Sequence, residues 1–129
     1  MASNTIQMTI RFTDPNLTLE ERDREVRNLL SQLQGADEIE QVRRVVDPNP
    51  PKDHMGGGFL LDLLYAEVGW KNFMTVMNFL SDRLGNKPIE LELEIQGTKL
   101  KVSASSRVEF EFAMKQAYEF ISSQVKTNA

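Results

Sequence analysis

FLLDLLYAEVGWKNFMTVMNFLSDRL, residues 59–84, is the longest apolar-rich stretch of the 129-residue chain, and the number of helices in the fold depends on how it is read. Apolar residues at 60, 63 and 64, then at 70, 73, 74, 77 and 80, fit helical spacing. Gly69 divides the stretch, so the expectation is a short helix followed by a longer one, both substantially buried. Trp70, Phe73, Met74, Met77 and Phe79 then read as core packing rather than as a box for a cofactor. Asp62, Glu67, Lys71, Asp82 and Arg83 interrupt the stretch, so it is not expected to span a bilayer.

Downstream, Gly85-Asn86-Lys87-Pro88 stops the helix. PIELELEI and TKLKVSA follow, joined by Gln96-Gly97. Two alternating runs linked by two residues ending in glycine predict a β-hairpin. Counting outward from the turn pairs Ile95 with Thr98, Leu93 with Leu100 and Leu91 with Val102 on one face. The other face then sets Glu94 against Lys99 and Glu92 against Lys101. A slip of one residue destroys both matches, so the register is specified twice over. Glu90, Glu92 and Glu94 could be taken for a metal or acid–base cluster, but their lysine partners make a solvated outer face the simpler reading. A face so charged is expected to lie uncovered by helix, free for solvent or a partner. Beyond the hairpin, Ser106-Arg-Val-Glu109 has the form of a capping box, and the last helix is expected to turn Val108, Phe112, Ala113, Ala117, Phe120 and Ile121 inward.

Upstream, Ile6, Met8, Ile10 and Phe12 alternate with polar residues, which predicts a half-buried strand. Thr18-Leu-Glu-Glu21 is another capping box, opening a helix with Leu19, Val26, Leu29, Leu30 and Leu33 on one stripe and ending near Gly35. Its charged residues Glu20, Arg22, Asp23, Arg24 and Arg27 read as a solvated face. Glu38 to Val46 reads as a second strand, with Val42, Arg44 and Val46 on one face and Ile39 and Val45 on the other unless a bulge intervenes. The order strand, helix, strand, one or two helices, strand, strand, helix predicts an α+β two-layer sandwich. It would have a mixed four-stranded sheet, three to four helices and ferredoxin-like character. One domain covers residues 1–129, with an ordered core over about residues 5–122 and a frayed tail over residues 123–129.

Composition bounds the function. There is no cysteine, which excludes disulfides, zinc–thiolate sites and thiol nucleophiles. The formal net charge of −4 and dispersed Lys and Arg argue against nucleic-acid binding. MASNTIQMTIRF has no basic region leading into an apolar one, so a cytoplasmic protein without a membrane partner is expected.

The loop PNPPKDHMGGGF, residues 48–59, holds the one histidine and three consecutive glycines. A Ser–His–Asp site lacks a nucleophile motif, and one histidine with scattered carboxylates does not make a metal site. Phe59 and Leu60 stand where a phosphate loop needs lysine and a hydroxyl. The loop therefore reads as a hinge and helix entrance, with Asp53, His54, Met55, Gly56 and Gly57 as candidate contact residues beside Glu92, Glu94, Lys99 and Lys101 on the hairpin. No catalytic residue, metal ligand or cofactor is expected.

MTIRF in the strand–helix–strand opening, the proline loop ending in Met55-Gly56-Gly57, the segment MNFLSDRL, and ELELEIQGTKLKVSA before a final helix together resemble the effector-associated constant component family, over about residues 5–122. The resemblance rests on order and spacing, since none of these segments is a catalytic signature. It implies a non-enzymatic adaptor of a bacterial conflict system. The implied partner is an effector or peptidase-type signalling protein encoded nearby, with a homo-oligomer as a further candidate. Lys52, Asp53 and His54 make the loop more polar than in many relatives, which separates it from any shared loop contact. A small-molecule-sensing regulatory domain, binding an anion at the glycine turn or between protomers, is the alternative.

Overall fold

The computed structural model describes residues 5–49, 58–84 and 86–127. The chain runs β1 (Thr5–Phe12), α1 (Leu19–Gln34), β2 (Ile39–Val46), β3 (Phe59–Gly69), a 3-10 turn (Trp70–Asn72), α2 (Phe73–Leu84), β4 (Ile89–Ile95), β5 (Thr98–Ala104) and α3 (Arg107–Thr127). The five strands form one sheet in the order β2-β3-β1-β4-β5. Every neighbouring pair is antiparallel. The fold is thus α+β with a five-stranded antiparallel sheet and three α-helices, where the sequence predicted a mixed sheet of four strands.

The difference lies in residues 59–69. They are a strand, laid between β1 and β2, not a helix. Leu64, Ala66 and Val68 are buried on one face, while Tyr65 and Glu67 point to the other. A strand with neighbours on both sides needs apolar cover, so Leu60, Leu63 and Leu64 fall at helical spacing without forming a helix. Gly69 does divide the stretch: β3 ends there and the 3-10 turn leads into α2. A side chain at Gly69 would meet the Glu40 carboxylate at 2.8 Å.

Alternation in β1 buries Ile6, Met8, Ile10 and Phe12, and alternation in β4 buries Ile89, Leu91, Leu93 and Ile95. These residues join Val26, Leu29 and Leu33 of α1, Phe73, Met77 and Leu80 of α2, and Phe110, Ala117 and Ile121 of α3 in one core cluster. The helices therefore cover one face of the sheet. Each large side chain buried there contributes about 1.5–3 kcal/mol.

Local chemistry fixes the element ends. The Glu21 amide donates to Thr18 Oγ1 (3.1 Å), and the Thr18 amide donates to Glu21 Oε1 (2.8 Å). At α3 the Glu109 amide donates to Ser106 Oγ (3.2 Å), but the Glu109 carboxylate accepts from the amide and hydroxyl of Ser105, both at 2.7 Å. A bulge between Ile39 and Gln41 turns Ile39 onto the core side with Val42. The Gln96-Gly97 turn has φ of 51° and 83°, the type I′ geometry that suits the twist of a two-residue hairpin.

Two helical expectations need correction. Val108 and Phe112 are 76% and 63% exposed. The inward stripe of α3 is instead Phe110, Ala113, Ala117 and Ile121, spaced by three and four residues, which places positions 108 and 112 on the opposite side. Leu19, at the first turn of α1, is also exposed.

Candidate functional site

The sheet face turned away from the helices is polar. Gln7, Thr9 and Arg11 of β1 lie beside Glu67, Tyr65 and Leu63 of β3 on one side, and beside Glu94, Glu92 and Glu90 of β4 on the other. Arg43 of β2 extends the surface at one edge, while Lys99, Lys101 and Ser103 of β5 extend it at the other. The β4–β5 register is the one the sequence predicts, from Ile95–Thr98 through Leu91–Val102, with Glu94 across from Lys99 and Glu92 across from Lys101.

The ion pairs depart from that register. Lys99 Nζ lies 4.0 Å from Glu94 Oε1, the directly opposed partner. Lys101 Nζ reaches diagonally to Glu90 Oε1 at 3.2 Å, passing over Glu92. Strand twist brings diagonal neighbours within reach of a long side chain. Among the described residues no cation lies at ion-pair distance from Glu92. Both lysines remain well exposed, at 61% and 59% of their side-chain surface. Each pair is a screened surface pair of about 0.2–1 kcal/mol.

Toward β2 the face carries a second polar group. Tyr65 Oη donates to Glu67 Oε2 at 2.6 Å, and the Arg43 guanidinium lies 4.5 Å from the Tyr65 ring centroid. Burial pushes the Tyr65 phenol up to about 12, and the hydrogen bond to the Glu67 carboxylate and its charge add to the rise, against the opposing Arg43 charge and a Gln7 hydrogen bond. Tyr65 therefore stays protonated at neutral pH and acts as a donor. Arg11 Nη1 bonds Asp62 Oδ2 at 3.1 Å. At the turn end of the face, Thr5, Gln7, Glu67, Glu94, Gln96 and Gly97 line an open hollow. Its two carboxylates suit a cationic or neutral hydrogen-bonding group better than an anion.

On the helix side one polar contact stands out. Arg44 Nη2 bonds Asp23 Oδ1 at 2.7 Å, joining β2 to α1, with 12% and 14% of the two side chains exposed. Arg44 also reaches the Leu60 carbonyl at 3.4 Å and lies 5.4 Å from the Phe59 ring centroid. Asp23 holds Arg27 as well, at 3.1 Å. Asp23 thus belongs to an inward clamp, not to the solvated face that its neighbours suggested.

Of the sequence candidates, Glu92, Glu94, Lys99 and Lys101 come together on the open face, whereas Asp53, His54, Met55, Gly56 and Gly57 lie outside the described residues. Tyr65 and Glu67 had no signal while residues 59–69 read as helix, and Arg43, in a strand the sequence does predict, could not be placed beside them. Among the described residues no group of three or more His, Cys, Asp or Glu is placed to hold a metal ion, and no helix is long and apolar enough to cross a membrane. Comparison with family models, curated proteins and solved structures finds no match for the chain.

Proposed function

We propose that the chain is a non-enzymatic interaction module that binds another protein through its uncovered sheet face. The observation that supports this most is the packing of all three helices on one side, leaving five strands of ordered polar side chains on the other. A rigid sheet holds these groups in fixed register at low entropic cost, which is what a recognition surface requires. The β1-α1-β2-β3-α2-β4 order, with β5 and α3 appended, supports a two-layer sandwich of ferredoxin-like character. The resemblance to effector-associated constant components supplies the setting, a cytoplasmic adaptor whose partner is an effector or peptidase-type signalling protein encoded nearby.

The test is capture from native lysate with the tagged chain, read by mass spectrometry, beside Glu92→Lys/Glu94→Lys and Asp53→Ala/His54→Ala variants checked for folding by circular dichroism. The reading predicts a signalling protein or peptidase recovered with the parent chain and lost with the sheet-face variant. Recovery of nothing but the chain itself contradicts it. The open hollow favours a second reading, a site for a small polar ligand. That reading predicts a higher Tm with a bound metabolite.

A further inference from the structure

The two edges of the sheet differ. Along β2 the pairing to β3 carries a one-residue bulge between Ile39 and Gln41 and a larger break in register between Arg44 and Val46, and such irregularities blunt an edge. β5 pairs with β4 without interruption over all seven of its residues. Because the hairpin closes on a two-residue turn, the flanking pair Ile95–Thr98 is hydrogen-bonded, and alternation turns the backbone N–H and C=O groups of Lys99, Lys101 and Ser103 to the open edge. Among the described residues no strand pairs with that side.

The side chains of β5 say what could. Lys99 and Lys101 stand on the open face. Leu100 and Val102 stand on the helix side and are only half-buried, unlike their β4 partners Leu93 and Leu91. A second β5 laid antiparallel on this edge with full overlap brings Lys101 opposite Lys101, which repels. Lysine on an edge is the ordinary device against self-pairing, and the same charge attracts a strand bearing carboxylates. The hairpin holds an example of the fitting sequence: β4, IELELEI, sets glutamate across from the lysines and leucine across from Leu100 and Val102.

We infer that β5 is a strand-addition site for an extended partner segment in which acidic and apolar residues alternate. The acidic residues face Lys99 and Lys101, the apolar ones complete the cover over Leu100 and Val102, and the backbone pairs with Lys99, Lys101 and Ser103. This inference rests on the interaction reading and names its partner's chemistry.

A fluorescent peptide of sequence IELELEI is titrated against the whole chain by anisotropy, beside IEELLEI, which keeps the composition without the alternation, and IKLKLKI, which inverts the charge. Amide hydrogen exchange is recorded with and without peptide. Expected are saturable binding of IELELEI alone, affinity weakened about tenfold by Lys99→Gln/Lys101→Gln, and exchange slowed about tenfold or more at the Lys99, Lys101 and Ser103 amides. The two neutral substitutions place no like charges together, so the hairpin is kept. Absence of saturable binding below about 1 mM, equal binding of IKLKLKI, or slowed exchange confined to other strands overturns the assignment of β5. The interaction reading is then still decided separately by lysate capture.

Discussion

Removing Asp23 tests how β2 is tied to the helix layer. Asp23→Ala leaves the Arg44 guanidinium between α1 and β2 with only the Leu60 carbonyl at 3.4 Å and the Phe59 ring nearby. Two unit charges about 4 Å apart interact by about 4 kcal/mol at an effective dielectric of about 20. Breaking a buried pair by deleting one partner costs about 3–5 kcal/mol. The residual exposure of both side chains lets some water reach the stranded charge, which points to the lower end, about 3 kcal/mol. For a chain of this length about 4 °C of Tm is lost per kcal/mol, so a fall of about 12 °C is expected. Asp23→Leu/Arg44→Met removes both charges and fills the space, and its stability is expected within about 1 kcal/mol of the parent. Urea denaturation followed by circular dichroism measures both variants. If Asp23→Ala costs less than about 1 kcal/mol, the pair behaves as a solvated surface pair and the clamp is refuted. Because Asp23 and Arg44 lie on the helix side, peptide binding at β5 is expected to be unchanged in the double variant.

Three further outcomes follow from the same structure. Gly97→Ala is expected to cost about 1–2 kcal/mol by urea denaturation, since φ of 83° is unfavourable for a side chain although nothing lies within 4 Å of the added methyl; Gln96→Asn, at φ of 51°, is expected to stabilise slightly. Phe112→Ser on the exposed side of α3 is expected to stay within about 0.5 kcal/mol of the parent, whereas Phe110→Ala should cost about 3–5 kcal/mol; equal costs would contradict the helix phase. Hydrogen bonds from Thr18 hold the Glu21 carboxyl below its ordinary value, and those from Ser105 do the same for Glu109. Folded-state values below the unfolded ones mean that both capping contributions are present above the ordinary carboxylate range, about pH 4–5, and are lost as pH falls through the lowered values. An acid titration of Glu21→Gln, which removes the titrating carboxylate of one box, should then show a shallower loss of stability than the parent.

The hairpin was legible because both strands alternate and a two-residue turn fixes their register, so apolar and charged faces agree at once. The Thr18–Glu21 box was legible because both hydrogen bonds are local in sequence. β3 was not, because a strand with neighbours on both sides carries apolar residues on both faces at its start, and Leu60, Leu63 and Leu64 match a helical stripe as well as a strand. Only Tyr65 to Val68 alternates, too short a run to outweigh the longer helical pattern through α2. That error concealed Tyr65 and Glu67 and, with them, the β3 part of the open face. α3 offered phenylalanine at 110, 112 and 120, and only the packed sheet shows that Phe110 is buried, Phe120 packs half-buried against the core and Phe112 is exposed. The diagonal reach of Lys101 to Glu90 depends on twist, which a count of opposed residues does not contain.

The central claim is that the uncovered sheet surface meets another protein. Amide hydrogen exchange on the chain alone and in the complex recovered by lysate capture tests it most directly. Slowed exchange along β5 and on the open face, with the α1 and α2 amides unchanged, is the predicted result. Slowing confined to the helix layer would contradict the account, because it would place the partner on the side already covered.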